Sequence, residues 1–512
     1  MELKEDLTTI TIEGKSQRQQ IDIIGSLLDL SFDQKRLDGL EYAFNLSKQI
    51  NMKALAPELQ TLLFYDLANG WSYYRKIKYH ESQDSWLFQM EELTKEIFYL
   101  RKAIASSGFS RVEGWRQSQI YTNLGNSFSF MGRFVEAQEY FQQALRATPD
   151  FAMSIGNMAN GLFYYGRALY DQVHSNLFLV YAYHHFIQAL KNKKSLHPDA
   201  ASGFQSMHDS LRIYISSNFP DEYMRDYPEL DNYDMGDDEE LNKYRLWCLS
   251  NTLFINPLND LGPHRIACHD CLNLPTVTLP ANRPPVCLNL FNQIKQEYAT
   301  ARYSYYTSAS KGLIHFSDLD TPLVETMEMV RYSYYVEQLK IAFRLSYSIL
   351  DKIAYLLNDY MGLNIELNKV SFRSLWYINK KRLQAPFEES KNWALRGLFW
   401  LSKDLYEKDS DFDTVLEPDA KEIAAIRNYI EHKGFKVVSD TPEFSDGFKE
   451  PDISYSISRS AFEQKTMKLL KLTRAAIMYS AIAISHEESV KEFDKTRSLP
   501  IGSATIPAYM RT

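Results

Sequence analysis

The stretch SQIYTNLGNSFSFMGRFVEAQEYFQQALRATP, residues 118–149, decides how the N-terminal part of the chain folds. Counting Ser118 as one, Tyr121 stands at four, Leu124 and Gly125 at seven and eight, Phe128 at eleven and Gly132 at fifteen. A second run follows, with Ala137 at twenty, Phe141 at twenty-four, Ala144 at twenty-seven and Pro149 at thirty-two. Small Gly125 and Ala137 let two helices approach closely while the large residues fill the groove between them. Pro149 ends the second helix because it has no N–H for the next hydrogen bond.

This spacing resembles the tetratricopeptide repeat. Weaker versions flank it: Leu67, Ala68 and Trp71 open one pair, and Gly166, Ala182, Phe186 and Ala189 belong to another that carries an insertion. A single helix pair cannot bury its apolar face, so three or more should stack from about residue 16 to 217. We expect a helical solenoid over residues 1–217, whose concave face suits a protein or peptide, either a trigger or an antidote.

Ten carboxylates against one arginine, Arg225, lie between Asp221 and Glu240. Such a run repels itself and reads as a solvated loop at a domain boundary. Residues 218–285 are therefore expected to be a connecting segment, with prolines from Pro263 to Pro285 that break any long helix. Helical patterns resume from Val286 to about Gly312, from Pro322 to about Met361, from Glu389 to about Tyr406, from Pro418 to Lys433, and from Ser460 to about His486. The last should open with a capping box of Ser460 and Glu463. The β-like runs 435–438 and 453–457 read as a small hairpin. The fold class is all-α: a solenoid, then a helical bundle over 286–490, then a tail over 491–512.

Composition narrows the functions. With 512 residues the chain holds several domains, and Gly 20 with Pro 18 lies well under average usage while aromatics reach 14 %. Lys+Arg 57 against Asp+Glu 65 gives a net charge of −8, so no general attraction to nucleic acid or anionic membrane exists, and any RNA site must be local. Four cysteines are too few for a disulfide framework. The opening residues lack the pattern of a secretory signal, and the longest apolar runs, such as 475–484, are too short to cross a membrane. We expect a cytoplasmic protein without a membrane segment.

Chemistry concentrates in KEIAAIRNYIEHKG, residues 421–434. On a helix, Asn428 and His432 share a face, whereas Arg427 lies about 140° from His432 and reaches round with its long side chain. Ile423, Ile426 and Ile430 supply the buried stripe. Pro418, Asp419 and Glu422 suit the first turn, and Gly434 suits a glycine C-cap. His432 then sits among the unpaired carbonyls of the last turn, which favour the imidazolium and raise its pKa towards proton transfer near neutrality. A proton-shuttling histidine beside a phosphate-neutralising arginine is sufficient for RNA cleavage by the substrate's own 2′-hydroxyl, with no metal or other cofactor. Two such histidines, one base and one acid, serve better than one, which points to a site shared across a two-fold interface.

The helix resembles the Arg-x4-6-His motif of the HEPN superfamily, helical-bundle proteins many of which are metal-independent ribonucleases. Flanking text is similar to a bacterial branch of it: residues 244–260, 297–303 and 395–405, within about 244–486. The resemblance implies that Arg427 and His432 carry catalysis, that Asn428 is the polar residue following the arginine, and that the bundle forms a homodimer. It also implies an RNA-cutting toxin or antiviral abortive-infection effector, regulated here by the solenoid. The alternative is a non-catalytic scaffold or RNA-binding interaction protein.

Arg75 with His80 and Arg167 with His174 repeat the motif spacing, but Lys76 and Ala168 follow their arginines, so neither has the polar neighbour. The plainer account of the motif helix is a surface salt bridge from Arg427 to Glu431 and an ordinary capping histidine. RNA would need positive charge, and Arg373, Lys380, Lys381 and Arg382, with Lys391 and Arg396 nearby, lie among Phe372, Trp376 and Tyr377, rings able to stack unpaired bases. Cys268 and Cys271 have the gap of a zinc knuckle, with His264, Cys248 and Cys287 as candidate completing ligands. A second paired motif is missing, so we assign no metal and expect reduced thiols.

Overall fold

The computed structural model describes residues 7–80, 82, 86–192, 196–310, 314–326, 328–379, 382–406, 420–440, 453–492, 498–502, 504–507 and 510–511. The chain divides into two compact units: residues 1–167, 175–228 and 388–391, and residues 168–174, 229–387 and 392–512.

In the first unit the helices run in order as α1 Gln17–Asp33, α2 Leu37–Ser47, α3 Pro57–Lys78, α4 Glu91–Ala105, α5 Gly114–Phe130, α6 Phe134–Ala147, α7 Ala152–Ala168, α8 Gln172–Lys191, α9 Pro198–Asn218 and the single turn α10 Glu222–Arg225. Successive helices pack in pairs, α3 on α4 and α5 on α6, with α1 laid on α2 and α3. Leu124, Phe128, Ala137, Phe141 and Ala144 all face the interior of the α5–α6 pair. A methyl group on Gly125 would stand 2.6 Å from the Phe141 ring, so only glycine fits this crossing. Gly132 makes the turn with φ +92°, and the Thr148 amide gives the last helical bond of α6 before Pro149.

The second unit contains α11 Glu239–Ser250, β1 Val277–Pro280, α12 Val286–Ser310, α13 Tyr334–Tyr360, β2 Tyr377–Asn379, β3 Arg382–Leu383, the turn α14 Ala385–Glu388, α15 Trp393–Tyr406, α16 Ala420–His432, β4 Gly434–Val438, β5 Ser454–Ser458, α17 Arg459–Val490 and β6 Ser498–Ile501. Every residue from Ala475 to Ile484 is buried. A helix apolar all round must be surrounded, and α12, α13 and α15 pack on α17.

Two buried arginines fasten the irregular loop that follows α11. Arg302 donates to both Asp270 oxygens at 2.9 and 2.8 Å, to the Leu253 carbonyl at 2.9 Å and to the Tyr244 hydroxyl at 2.8 Å. Arg474 donates to Asp260 at 2.7 Å and to the Asn256 carbonyl at 3.0 Å. Both charges are removed from water and fully partnered, the condition under which burial is tolerated.

Several expectations are corrected. The described residues between 321 and 331 are not helical: the Arg331 amide donates to the Val437 carbonyl at 2.8 Å and Val330 bridges Val438. α13 opens only at Tyr334, where Ser333 caps it and Asp318 accepts from the Tyr334 amide. α17 is capped by Ser458, whose side chain accepts from the Ala461 amide. Ser460 instead donates to Asp440 at 2.7 Å, so the Ser460–Glu463 box is not formed. β4 and β5 pair in parallel, not as a hairpin; the local antiparallel pair is β2–β3, and Lys380 and Lys381 lie outside the described residues. β6 pairs antiparallel with β1, which ties residues 498–501 into the second unit.

The acidic segment is also more than a solvated run. Asp238 caps α11 through the Leu241 amide at 3.0 Å, and Asp231 accepts from the Arg265 amide at 3.0 Å. Helix N-termini favour carboxylates, and Asp238, Glu239 and Glu240 cluster at one.

Candidate functional site at the end of α16

α16 lies along α13, and two residues set its rotation. Ile423 and Ile426 are buried, whereas Ile430, expected in the same stripe, is only half-buried. Glu422 accepts from Lys465 at 2.6 Å and from the Tyr455 hydroxyl at 2.7 Å, which anchors the first turn. Pro418 and Asp419 lie outside the described residues. At the other end the Lys433 amide makes the final helical bond to Tyr429, and the Gly434 amide donates to the Ile453 carbonyl at 2.9 Å. Gly434 is therefore the first residue of β4 rather than a left-handed cap. Its missing side chain serves close strand approach, since a Cβ there would meet the Ile453 oxygen at 3.3 Å.

Arg344, Tyr347 and Asp351 recur on one face of α13 at spacings of three and four. They meet α16 in reverse order, as antiparallel helices require. The Arg344 guanidinium donates to both oxygens of Glu431, at 2.9 and 3.0 Å, and this pairing holds the Glu431 carboxyl below its usual range, with Arg427 and His432 adding to the effect. The Arg427 guanidinium lies over the Tyr347 ring, 5.5 Å from its centre. Behind it, burial pushes the Asp351 carboxyl up, opposed by the Phe372 amide, which donates to it at 2.9 Å, and by the charge of Arg427.

The three motif residues are thus differently placed. Arg427 is half-buried, while Asn428 and His432 are exposed. Among the described residues Arg427 forms no ion pair, and the expected surface bridge to Glu431 is replaced by the one from Arg344. Arg344 alone binds the Glu431 carboxylate directly. Arg344 escaped the sequence reading because it is 87 positions from its partner; the three-and-four spacing of Arg344, Tyr347 and Asp351 was the available signal.

Other candidates separate clearly. Phe372 and Trp376 are core residues and Arg396 is buried, so these rings and this arginine are closed to RNA; Arg373 and Arg382 are exposed. Arg75 is bound to Glu96 at 2.9 Å in a buried pair, a structural use of the same spacing. Cys248, Cys268 and Cys287 are buried, and burial pushes the Cys248 and Cys271 thiols up to about 12. His264 faces Asp231 at 3.1 Å and Asp270 is taken by Arg302. Among the described residues no three His, Cys, Asp or Glu side chains gather as a metal site, and no helix is long and apolar enough to cross a membrane.

Comparison with known proteins agrees with this division. Residues 278–487 match the LA2681-like HEPN family, and residues 118–151 match a tetratricopeptide repeat. No curated protein and no solved structure matches the chain. The chain is thus all-α, with a region that matches a tetratricopeptide repeat followed by one that matches the HEPN family. Residues 244–260 lie before the matched region and supply partners to Arg302 and Arg474.

Proposed function

We propose that the second unit is a metal-independent endoribonuclease acting at the end of α16, and that the first unit is its sensor. The observation that supports this reading is that the helix ending in exposed His432, with Arg427 held over the Tyr347 ring one turn earlier, lies within the HEPN-matching region. An imidazole removes the proton of the RNA 2′-hydroxyl, and the 2′-oxygen attacks the adjacent phosphorus. The bond to the 5′-oxygen breaks and that oxygen takes a proton from a second imidazole. The products are a 2′,3′-cyclic phosphate and a 5′-hydroxyl. Arg427 offsets the charge that grows on the phosphoryl oxygens. Asn428, exposed on the His432 face, orients the RNA, and Arg373, Lys380, Lys381 and Arg382 supply further phosphate contacts; Lys380 and Lys381 lie outside the described residues.

α16 brings one imidazole, so the reaction places two copies of the chain around one phosphodiester, each giving His432. A protein or peptide trigger, or an antidote, bound by the repeats would govern a cytoplasmic, bacterial-type toxin or abortive-infection effector. The ion pair between Arg344 and Glu431 favours a second reading, a non-catalytic RNA-binding or scaffold protein, because it neutralises one of the cations. Expression of wild type and His432→Ala in cells separates the two: RNA breakdown and arrested growth with wild type alone supports cleavage, and intact RNA with both supports the scaffold.

A further inference from the structure

Glu431 stands four residues after Arg427, the spacing at which the two would pair along α16, yet its carboxylate is taken by two hydrogen bonds from Arg344. Arg427 is left without a counter-ion: among the described residues it forms no ion pair and donates no hydrogen bond. Its guanidinium rests instead on the face of the Tyr347 ring, 5.5 Å from the centre, within the range at which a ring quadrupole attracts a cation. That ring is itself braced. It meets the Tyr406 ring edge-on at 6.0 Å, and Tyr406 meets the Phe372 ring in the same manner at 6.4 Å, with Phe372 in the core. Burial pushes the Tyr347 hydroxyl up, so the phenol stays neutral and offers the arginine a π face rather than a charge.

We propose that Tyr347 is the positioning residue of the site: its ring holds the Arg427 guanidinium in place and leaves the N–H donors of that group free for a phosphate of the RNA. This rests on the ribonuclease reading above and deepens it by naming what aims the arginine. A carboxylate in the same place would occupy two of the five donors and offset the charge that the phosphoryl oxygens need. A ring face occupies none. An arginine loose in solvent gives up rotamer freedom when it meets a phosphate, and a ring that fixes it beforehand removes that cost from the reacting complex. Arg344 and Tyr347 stand three apart on α13, so one helix face both draws off the competing carboxylate and supplies the ring. Tyr347 acts through Arg427 and not on the RNA itself.

The test uses the full chain as wild type, as Tyr347→Phe, as Tyr347→Leu, and with a difluorinated phenylalanine incorporated at position 347. Fluorine drains the ring face while barely changing its shape, so a graded loss reads attraction for the cation and not packing. Cleavage of an RNA oligonucleotide gives kcat and KM for each chain. Affinity for the same oligonucleotide with 2′-O-methyl sugars, which cannot be cut, and melting temperature are measured alongside. The proposal expects Tyr347→Phe to keep kcat within about threefold of wild type, the difluorinated chain to fall below it, and Tyr347→Leu to lose at least about tenfold, more on kcat than on KM. A leucine variant as fast as wild type, or a phenylalanine variant as slow as the leucine one, overturns it. Should the leucine variant fail to fold, equal kcat in the phenylalanine and difluorinated chains overturns it and a lower kcat in the latter upholds it. Should wild type cut no RNA, the ribonuclease reading falls and the affinities decide: the same rank order in RNA binding upholds the role of Tyr347, and equal binding by all the chains overturns it.

Discussion

Arg344 on α13 and Glu431 on α16 hold two parallel hydrogen bonds, 2.9 and 3.0 Å long, and this pair sets a carboxylate one residue before His432. A phosphodiester arriving there competes with a carboxylate already in place. Glu431→Gln should therefore tighten binding of a single-stranded RNA oligonucleotide by roughly threefold to tenfold, about 1 kcal/mol, and Arg344→Ala should weaken it by a similar factor. Fluorescence anisotropy at two salt concentrations checks both, with the slope against salt shallower in Arg344→Ala. Because the folded Glu431 pKa is depressed, the pair contributes fully at neutral pH and is lost only as pH falls below about 4.

A different carboxylate governs the pH response of the first unit. Asp66 on α3 has its carboxyl pushed up to about 7, by burial first and then by Asp29 and Asp22 against the pull of Arg116. For an acid with a raised folded pKa, stability is greatest below the unfolded value near 4 and declines as pH rises through 7. Asp66→Asn should remove that decline, so the variant gains about 1–3 kcal/mol over wild type between pH 5 and pH 8, the lower figure reflecting partial solvation of the side chain. Urea titrations at the two pH values, followed on the first unfolding step, provide the comparison.

The scaffold makes its own prediction. Removing Asp270 leaves the Arg302 guanidinium buried without its carboxylate, so Asp270→Ala should cost the second unit about 3–5 kcal/mol. Asp270→Ala paired with Arg302→Met should recover much of that loss, since an apolar side chain needs no counter-ion. Chemical denaturation of both variants measures the difference; equal losses in the two would contradict a buried-charge origin.

The parts of this account legible in the sequence were the local ones. Gly125, Phe141 and Pro149 announced a helix pair because close approach and a missing N–H leave fixed spacings, and Arg427 with His432 stood out for its polar neighbour. The apolar run 475–484 announced its own burial. What stayed hidden depends on contacts between distant segments. Nothing local shows that Arg344 will take Glu431, that residues 329–331 will be drawn from a helix into pairing with β4, or that β4 and β5 run parallel. Phe372 and Trp376 read equally well as stacking platforms until packing put them in the core. The helix expected from Pro322 begins only at Tyr334, because the partners that hold residues 328–331, such as Lys436 for Glu328, lie 108 positions on.

Shared catalysis predicts complementation. Arg427→Ala and His432→Ala chains, each inactive alone, should regain measurable cleavage when co-refolded, if each composite site draws from both copies. The mixed dimer, isolated through two different affinity tags, should be more active than either parent. Activity no higher than the parents would place each complete site within one chain.

We propose above that Arg427 and His432 break RNA without a metal. Purified chain incubated with an RNA oligonucleotide in excess EDTA, with the new ends identified by mass spectrometry, tests it most directly. The account predicts 2′,3′-cyclic phosphate and 5′-hydroxyl ends for wild type, and a rate at least about 100-fold lower for His432→Ala. Equal cleavage by the two proteins, none by wild type, or products ending in 3′-hydroxyl and 5′-phosphate would contradict it.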